Sequence, residues 1–502
     1  RPRDACGFGA TAAESRSLSR ESRKIVFPSR GRPCKHARFN APMHRRTFLA
    51  TPATLHRRRA TDNFLRGWVG DRRWLAAAAL FAGCFASQAD AQEVPRLSYA
   101  RQVEKKSLPT IANFKVGEVL LRVDASMTTE FVDNVDLTQN GRPDLIFTPQ
   151  VGIGATWAMT KLNTLQFRAG LGYSYYMNNP NLNRQTTTIT PDSALVFNVY
   201  AGDVKISFHD RFGLQQETTS LGTLNGLAQV ERFTNTAGFT VLWDTNDVIW
   251  NFGYDHFNFI TLGGANSSSG TAAASYSRLD HSTDQVSASI ATKAGARAIV
   301  GIEGTMAYSN YPKQSGSNFT SVQAGLFSEV QLTKYTHMFL SGGFKGYYSG
   351  ANAPGSVTVG TTTAQLAGGD PTGFYANLSL VHRMNRFYSD QLNISHIDDV
   401  DALSGHTRAN SVRYSGNWQV NRKMTLGMNM FAEDVTVIAG SALSGGGVAS
   451  DFRRFGASLN TGIQISEHLG LSFGYQYLKK QAVRAREGYT QNRVTFTLGY
   501  RF

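Results

Sequence analysis

Val494 to Phe502 reads VTFTLGYRF, and the run alternates without a break. Val494, Phe496, Leu498, Tyr500 and Phe502 fall on one side, with Thr495, Thr497, Gly499 and Arg501 on the other. A period of two belongs to an extended strand, whose successive side chains point to opposite faces. One face here is apolar and aromatic throughout. Nothing in hydrocarbon can satisfy an unpaired N–H or C=O, so a strand with such a face is tolerated in lipid only within a sheet that has no open edge. The stretch therefore predicts a membrane strand in a closed β-barrel.

The same alternation recurs upstream. In Leu165 to Tyr176 the outward set is Leu165, Phe167, Ala169, Leu171, Tyr173 and Tyr175, opposite Gln166, Arg168, Gly170, Gly172, Ser174 and Tyr176. In Val412 to Val420 it is Val412, Tyr414, Gly416, Trp418 and Val420, opposite Arg413, Ser415, Asn417 and Gln419. Leu469 to Tyr477, Leu426 to Met430 and Val322 to Leu332 follow suit. The polar set is assigned to the lumen, the inverse of a soluble sandwich.

Connector lengths order these strands. Short polar connectors fall at Thr160 to Asn163, Gly202-Asp203, Asp244 to Asp247, Gly295-Ala296, Thr333 to Tyr335, Asn385-Arg386, Asn421 to Lys423 and Glu467-His468. Longer segments, most rich in Gly, Ser, Thr and Asn, fall at about 132–144, 179–192, 218–228, 263–276, 313–316, 351–372, 401–406, 438–449 and 484–488. Tight and long connectors alternate, as in an up-and-down barrel with periplasmic turns and outer loops. Eight short and nine long connectors give an all-β, transmembrane antiparallel barrel of about eighteen strands (16–18), with both termini periplasmic. No sustained helical period and no linker divides residues 117–502, which are expected to form one barrel.

The N-terminal part reads differently. Trp74 to Ala86 is a thirteen-residue apolar run behind Arg72 and Arg73, followed by Ala89-Asp90-Ala91, the pattern of a cleaved secretory signal. A spanning helix would need roughly twenty residues. His44 to Leu49, with its arginine pair, and Phe81 to Cys84 are weak matches to a twin-arginine signal and a lipidation box. No apolar run follows the arginines within reach, and Phe81 stands where a lipidation box carries an aliphatic residue. Residues 43–91 are thus expected to be an N-terminal region with signal peptide. Residues 1–42, with no starting Met and little apolar content, are expected to lie upstream of the coding start or to be disordered. Residues 92–116 form a polar periplasmic or lumenal segment, too short for a plug domain.

Residues 1–92 hold 18 of the 51 Lys and Arg but 6 of the 36 Asp and Glu, so they carry +12 of the net +15 and leave +3 beyond. The basic pI therefore does not argue for nucleic acid. All three cysteines, Cys6, Cys34 and Cys84, precede the expected cleavage point, which excludes disulfides and thiolate metal sites from the mature part.

Trp157, Trp243, Trp250 and Trp418 sit beside short connectors and predict a periplasmic aromatic girdle; Tyr173, Tyr175, Tyr308, Tyr348, Tyr475 and Tyr477 predict an outer one. Asp210 and His256 fit badly, since parity turns both towards lipid. A bulge or a place near the interface would repair each register.

Two resemblances follow from these residues. The terminal strand ending on Phe502 is similar to the closing strand of Gram-negative outer-membrane barrels, which implies recognition of that strand by the barrel-assembly machinery. Val123 to Leu137 (VDASMTTEFVDNVDL), with Asp133-Asn134-Val135, followed by Leu145 to Val151 (LIFTPQV), resembles the β-barrel porin-2 type of outer-membrane protein. That resemblance implies a bacterial outer-membrane location among lipids and lipopolysaccharide, and for some members a link to exopolysaccharide; it carries over no catalytic residue.

About eighteen strands leave a wet lumen, so the expected function is a porin-like channel for small hydrophilic solutes. Candidate pore-lining charges on the inward parity are Arg122, Asp124, Arg168, Lys205, Arg211, Arg232, Asp255, Glu303, Glu329, Lys345, Arg413, Glu433, Arg454, Arg493 and Arg501. Ten basic against five acidic groups favour anions, although many such charges serve only to pair with one another. The loop at 351–372 is a candidate constriction. A structural or polysaccharide-export barrel is the alternative, and self-association of barrels is compatible with the pattern. An outer-membrane hydrolase has weaker support: His281-Ser282, with Asp280 and Asp284 nearby, is the one local cluster, and adjacent strand residues face opposite ways. No cofactor, metal site or nucleic-acid module is expected. Asp398, Asp399 and Asp401 read as a solvated acidic tip without EF-hand spacing.

Overall fold

The computed structural model describes residues 113–183, 187–215, 230–264, 280–313, 318–349, 356–359, 362–365, 372–401, 405–439, 451–483 and 488–502. The expected signal peptide, residues 1–42 and most of the 92–116 segment lie outside the described residues. In chain order the elements are β1 (Phe114–Val116), β2 (Val119–Val132), β3 (Asp144–Ala158), β4 (Asn163–Tyr173), β5 (Tyr175–Tyr176), a single 3-10 turn (Pro180–Leu182), β6 (Thr187–Ala201) and β7 (Val204–Gln215). There follow β8 (Val230–Asp244), β9 (Val248–Gly264), β10 (His281–Lys293), β11 (Ala298–Asn310), β12 (Phe319–Gln331), β13 (Thr336–Ser349), β14 (Ser356–Val359) and β15 (Thr362–Gln365). The last seven are β16 (Thr372–His382), β17 (Tyr388–Asp401), β18 (Gly405–Gln419), β19 (Met424–Ala439), β20 (Phe452–Gln464), β21 (Leu469–Ala482) and β22 (Tyr489–Arg501).

All but β14 and β15 share a 20-stranded sheet. β1 is a three-residue hairpin arm on the start of β2, and β5 continues the line of β4 against β3. The other eighteen run antiparallel, each to the next. β22 then pairs with β2 from Asp124↔Arg501 to Val132↔Arg493 and closes the cylinder.

Five of the eight short turns share one device. The side-chain oxygens of Thr160, Thr333, Asn385, Asn421 and Ser466 each accept hydrogen bonds from the backbone N–H groups two and three residues on. This substitutes for the ladder where the chain reverses, and explains why Ser, Thr and Asn recur there. Gly202, Asn246 and Gly295 supply the positive φ of three other turns.

β6 begins at Thr187, inside the segment expected to be loop 179–192. Its register shifts between Ile189 and Ser193, around Pro191. Proline lacks the N–H that a regular ladder requires at this position, so the strand continues through a bulge.

Contacts between non-adjacent strands identify the concave face. The Tyr375 hydroxyl on β16 donates to the Glu303 carboxylate on β11 at 2.8 Å, passing over Gly325 and Gly343 in β12 and β13. His209 on β7 similarly meets Asp255 on β9 at 2.6 Å over Gly238. Only on the inside of a curved sheet is the chord shorter than the wall. The opposite parity carries the exposed apolar side chains, including Leu326 at 66% and Phe344 at 78%. Trp157, Trp243, Trp250 and Trp418 are exposed there at the short-turn end, and Trp243 stacks on Trp250 across one turn at 6.4 Å.

Two expectations about the faces change. Asp210 and His256 are not returned to the lumen by a bulge. Both stay on the outer parity and take partners there: Asn235 donates to Asp210 at 2.5 Å, and Asp284 binds His256 Nδ1 at 2.7 Å and the Tyr254 hydroxyl at 2.8 Å. The inner face, moreover, is not polar throughout. Leu242, Ile249, Ala291 and Phe327 form a buried cluster on it, with Ile299 and Phe339 packed alongside.

A charge is costly on one face and cheap on the other. Leu326→Arg, on the lipid-facing band, is expected to destabilise by about 2–4 kcal/mol, whereas Thr305→Arg on the inner parity of β11 should cost under about 1 kcal/mol. Denaturant titration of vesicle-reconstituted protein measures both, and equal losses would contradict the face assignment.

Candidate functional site

The candidate geometry lies at the long-loop mouth, where the first long loop turns into the barrel. Asp133 ties its start to β22: its carboxylate accepts from Asn492 N and Nδ2 at 2.7 and 2.6 Å, and its N–H donates to Asn492 O at 3.1 Å. Asn134, 5% exposed, then crosses to the inside. Its amide donates to Thr138 O at 2.6 Å and Thr490 O at 3.0 Å, while its own carbonyl accepts from Gln491 Nε2 at 2.7 Å. Asp136 grips Arg142 with two hydrogen bonds at 2.7 and 2.9 Å, and hydrogen bonding to this carboxylate chiefly holds the Arg142 guanidinium above its ordinary pKa.

The tip of this loop is driven inward. Leu137 adopts φ 52, a left-handed conformation unusual outside glycine, and buries its side chain against Leu478 and Tyr489, with Phe431 beside them. The second outer loop follows the same course, placing Leu182 against Val132, Ile146 and Tyr176. Asp144, fully buried, holds that loop by accepting from Asn178 N at 2.9 Å and Asn179 Nδ2 at 2.8 Å. The constriction expected at 351–372 falls mostly outside the described residues. Among the described residues, 133–143 turns inward most clearly, with Leu182 of the second long loop beside it.

Register places all fifteen candidate charges on the inner parity, but few stand alone. On β18 to β22 Glu433 binds Arg454 at 2.7 Å and Arg413 at 3.8 Å, and both guanidinium groups lie over the Phe431 ring at 5.2 and 6.0 Å. Arg493 pairs with Glu130 at 2.9 Å, and Arg122 with Asp124 at 2.8 Å. Arg168 meets Asp192 at 3.2 Å. Lys205 and Lys345 sit over Tyr200 and Tyr347 at 5.9 and 5.1 Å. Asp255 and Glu303 are engaged by His209 and Tyr375 as described. Arg501 stands opposite Asp124, and Glu329 opposite Ile299 on one side and Phe339 on the other. Arg211 and Arg232 line β7 and β8 opposite Thr236 and Gln215.

Sequence reasoning missed Glu130 and Lys480. Glu130 shares the inner parity of Arg122 and Asp124, so the signal was present. Lys480, 3% exposed and 4.2 Å over the Phe452 ring, lies three positions beyond the stretch whose alternation was read. Four cations, Arg413, Arg454, Lys480 and Arg493, therefore stand with two carboxylates, Glu130 and Glu433, around the inturned loop. His281 faces inward and Ser282 outward, so they form no dyad. Asp398 is buried against Arg408 at 2.8 Å, which removes it from any acidic tip; the side chains of Asp399 and Asp401 lie outside the described residues. Among the described residues no group of three or more His, Cys, Asp or Glu is placed to hold a metal ion.

A closed antiparallel cylinder with a lipid-compatible exterior, tryptophans beside its short turns and loops tucked into one mouth is a bacterial outer-membrane β-barrel. No family model matches the chain, and no curated relative does. Among solved structures it is similar to OmpT, an outer membrane protein of Vibrio cholerae, at 12% identity and TM-score 0.36, covering 77% of this chain and 99% of that one. It is also similar to Pseudomonas aeruginosa OccK2 (OpdF), at 9% identity and TM-score 0.42 over 76% and 98% of the two chains. Acinetobacter baumannii OccAB3 gives 8% identity and TM-score 0.41 over 76% and 99%.

Asn134 is the hinge of the inturned loop. Asn134→Ala leaves the Thr138 and Thr490 carbonyls unmatched, at about 1–3 kcal/mol each if they stay buried. It is expected to free the loop, raising single-channel conductance and adding gating noise, without loss of the folded barrel. Unchanged current traces would show that the loop does not narrow the path.

Proposed function

We propose that this barrel is a diffusion channel for small hydrophilic solutes, of the β-barrel porin-2 type, with a mild preference for anions. The observation that carries it is the mouth itself, where four cations and two carboxylates of the wall surround an inturned loop that adds Arg142, Asp136 and the buried Asp144, on an inner wall wide enough, at eighteen strands, to hold water. Paired charges still act on permeant ions: Glu433 shared between two arginines leaves net positive potential, and a low-dielectric wall concentrates it. The other candidate charges on the inner parity, seven basic to four acidic, extend that bias along the bore. Recognition of the Phe502 strand by the assembly machinery, contact with lipopolysaccharide and self-association belong to the same proposal.

Planar-bilayer recordings under a KCl gradient test it. The reversal potential should lie on the chloride side, and Glu433→Gln, which strips the shared carboxylate from Arg413 and Arg454, should move it further that way. A cation preference in the unaltered protein, or no conductance, would overturn the proposal.

A further inference from the structure

Across the mouth from the charged cluster, six rings form an unbroken arc on the inner wall. Phe257 and Phe259 of β9 flank His281 of β10 at 5.7 and 5.1 Å. His281 meets Tyr311, just beyond β11, at 4.9 Å. Tyr311 leads to Phe319 of β12 at 6.3 Å, and Phe319 to Tyr347 of β13 at 5.9 Å. Register puts every strand member of the arc on the inner parity, opposite to Trp250, Phe252 and Tyr308. The arc therefore belongs to the bore and not to the lipid girdle.

The row beneath it is chemically distinct. Thr283, Gln285, Ser309, Ser321 and Gln323 share the inner parity of the same strands, two or four residues further into the barrel. These five are neutral, and each offers a hydroxyl or amide that both donates and accepts; the charged members at this depth, Asp255 of β9 and Lys345 of β13, are engaged by His209 and the Tyr347 ring. Thr283 and Ser309 already meet across strands at 2.9 Å. Tyr311 and Tyr347 are buried at 3% exposure, whereas Phe257, Phe259, His281 and Phe319 keep part of their surface open. Rings that served only to fill the wall would be closed over throughout.

We infer that this arc is a binding lane for saccharides. A pyranose presents an apolar C–H face and a rim of hydroxyl groups. It therefore matches a surface in which open ring faces lie above neutral hydroxyls and amides. Adjacent centroids 4.9 to 6.3 Å apart let one sugar leave a ring as it meets the next, so an oligosaccharide could advance along the arc in short steps. This assignment rests on the channel function proposed above and names one class among its solutes.

The test is current block. Full-length protein in planar bilayers in KCl is titrated with neutral gluco-oligosaccharides of one to six units, against polyethylene glycol of matched size. Saturable block is expected, with a half-blocking concentration that falls as the sugar lengthens. Phe259→Ala with Phe319→Ala should raise that concentration by about tenfold while KCl conductance and the heat-induced gel shift stay unchanged. If the double variant fails to give the folded band, Phe319→Leu keeps the bulk but loses the ring face. A raised half-blocking concentration in that variant supports the lane, and an unchanged one overturns it. Block by sugar no greater than by polyethylene glycol also overturns the lane, even where chloride-selective conductance stands. Absence of any KCl conductance instead removes the channel proposal.

Discussion

The ladder between β2 and β22 is the constraint on which everything else depends. A strand in hydrocarbon cannot leave its N–H and C=O groups unpaired, so the first and last barrel strands must find each other across most of the chain. That requirement fixes an even number of antiparallel strands. It also fixes the register around the ring, because a slip of one residue on any strand would turn its apolar set into the bore and its charges into lipid. The turn oxygens of Thr160, Thr333, Asn385, Asn421 and Ser466 act at this level: each sets where one strand ends and the next begins.

Closure also creates a concave face, and the contacts made there have no counterpart on a flat sheet. Glycines at 238, 325 and 343 clear the wall so that side chains two or three strands apart can meet, as His209 and Asp255 or Tyr375 and Glu303 do. Such bridges tie non-neighbouring strands together on the inside without crossing the bore. The outer face follows the opposite rule. Polar groups there, such as Asp210 and Asn235, His256 with Asp284 and Tyr254, or Asp434 and Arg453, pair locally with one another because lipid offers no other partner.

Much of this was legible in the sequence because the deciding signals are local. Alternation identifies a strand, polar tight connectors identify a turn, and a tryptophan beside a turn identifies an interface; each needs only a few neighbouring residues. What escaped was non-local. The inward course of loop 133–143 depends on Asn134 meeting Gln491, 357 positions away, and on Leu137 finding Leu478 and Tyr489. The apolar cluster of Leu242, Ile249, Ala291 and Phe327 was invisible for a related reason: a lumen was assumed polar, and these residues look unexceptional until register stacks them. His281 drew notice beside Ser282, yet its true neighbours are rings on β9 and beyond β11.

The two sides of the mouth differ because different strands supply them. β18 to β22 and β2 carry the arginines, lysine and carboxylates and support the inturned loop, while β9 to β13 carry the rings. Around a ring of eighteen strands these groups lie on roughly opposite arcs, so a solute passing between them meets fixed charge on one flank and ring faces on the other. On the channel reading proposed above, the charged flank gives a mild anion preference and the rings hold what can be brought flat against them; together, with the loop limiting the gap, they would favour solutes that combine a stackable ring with hydroxyls or an anionic group. Selectivity of that kind needs no moving part and no closed pocket, only the register that places each side chain where closure of the cylinder put it.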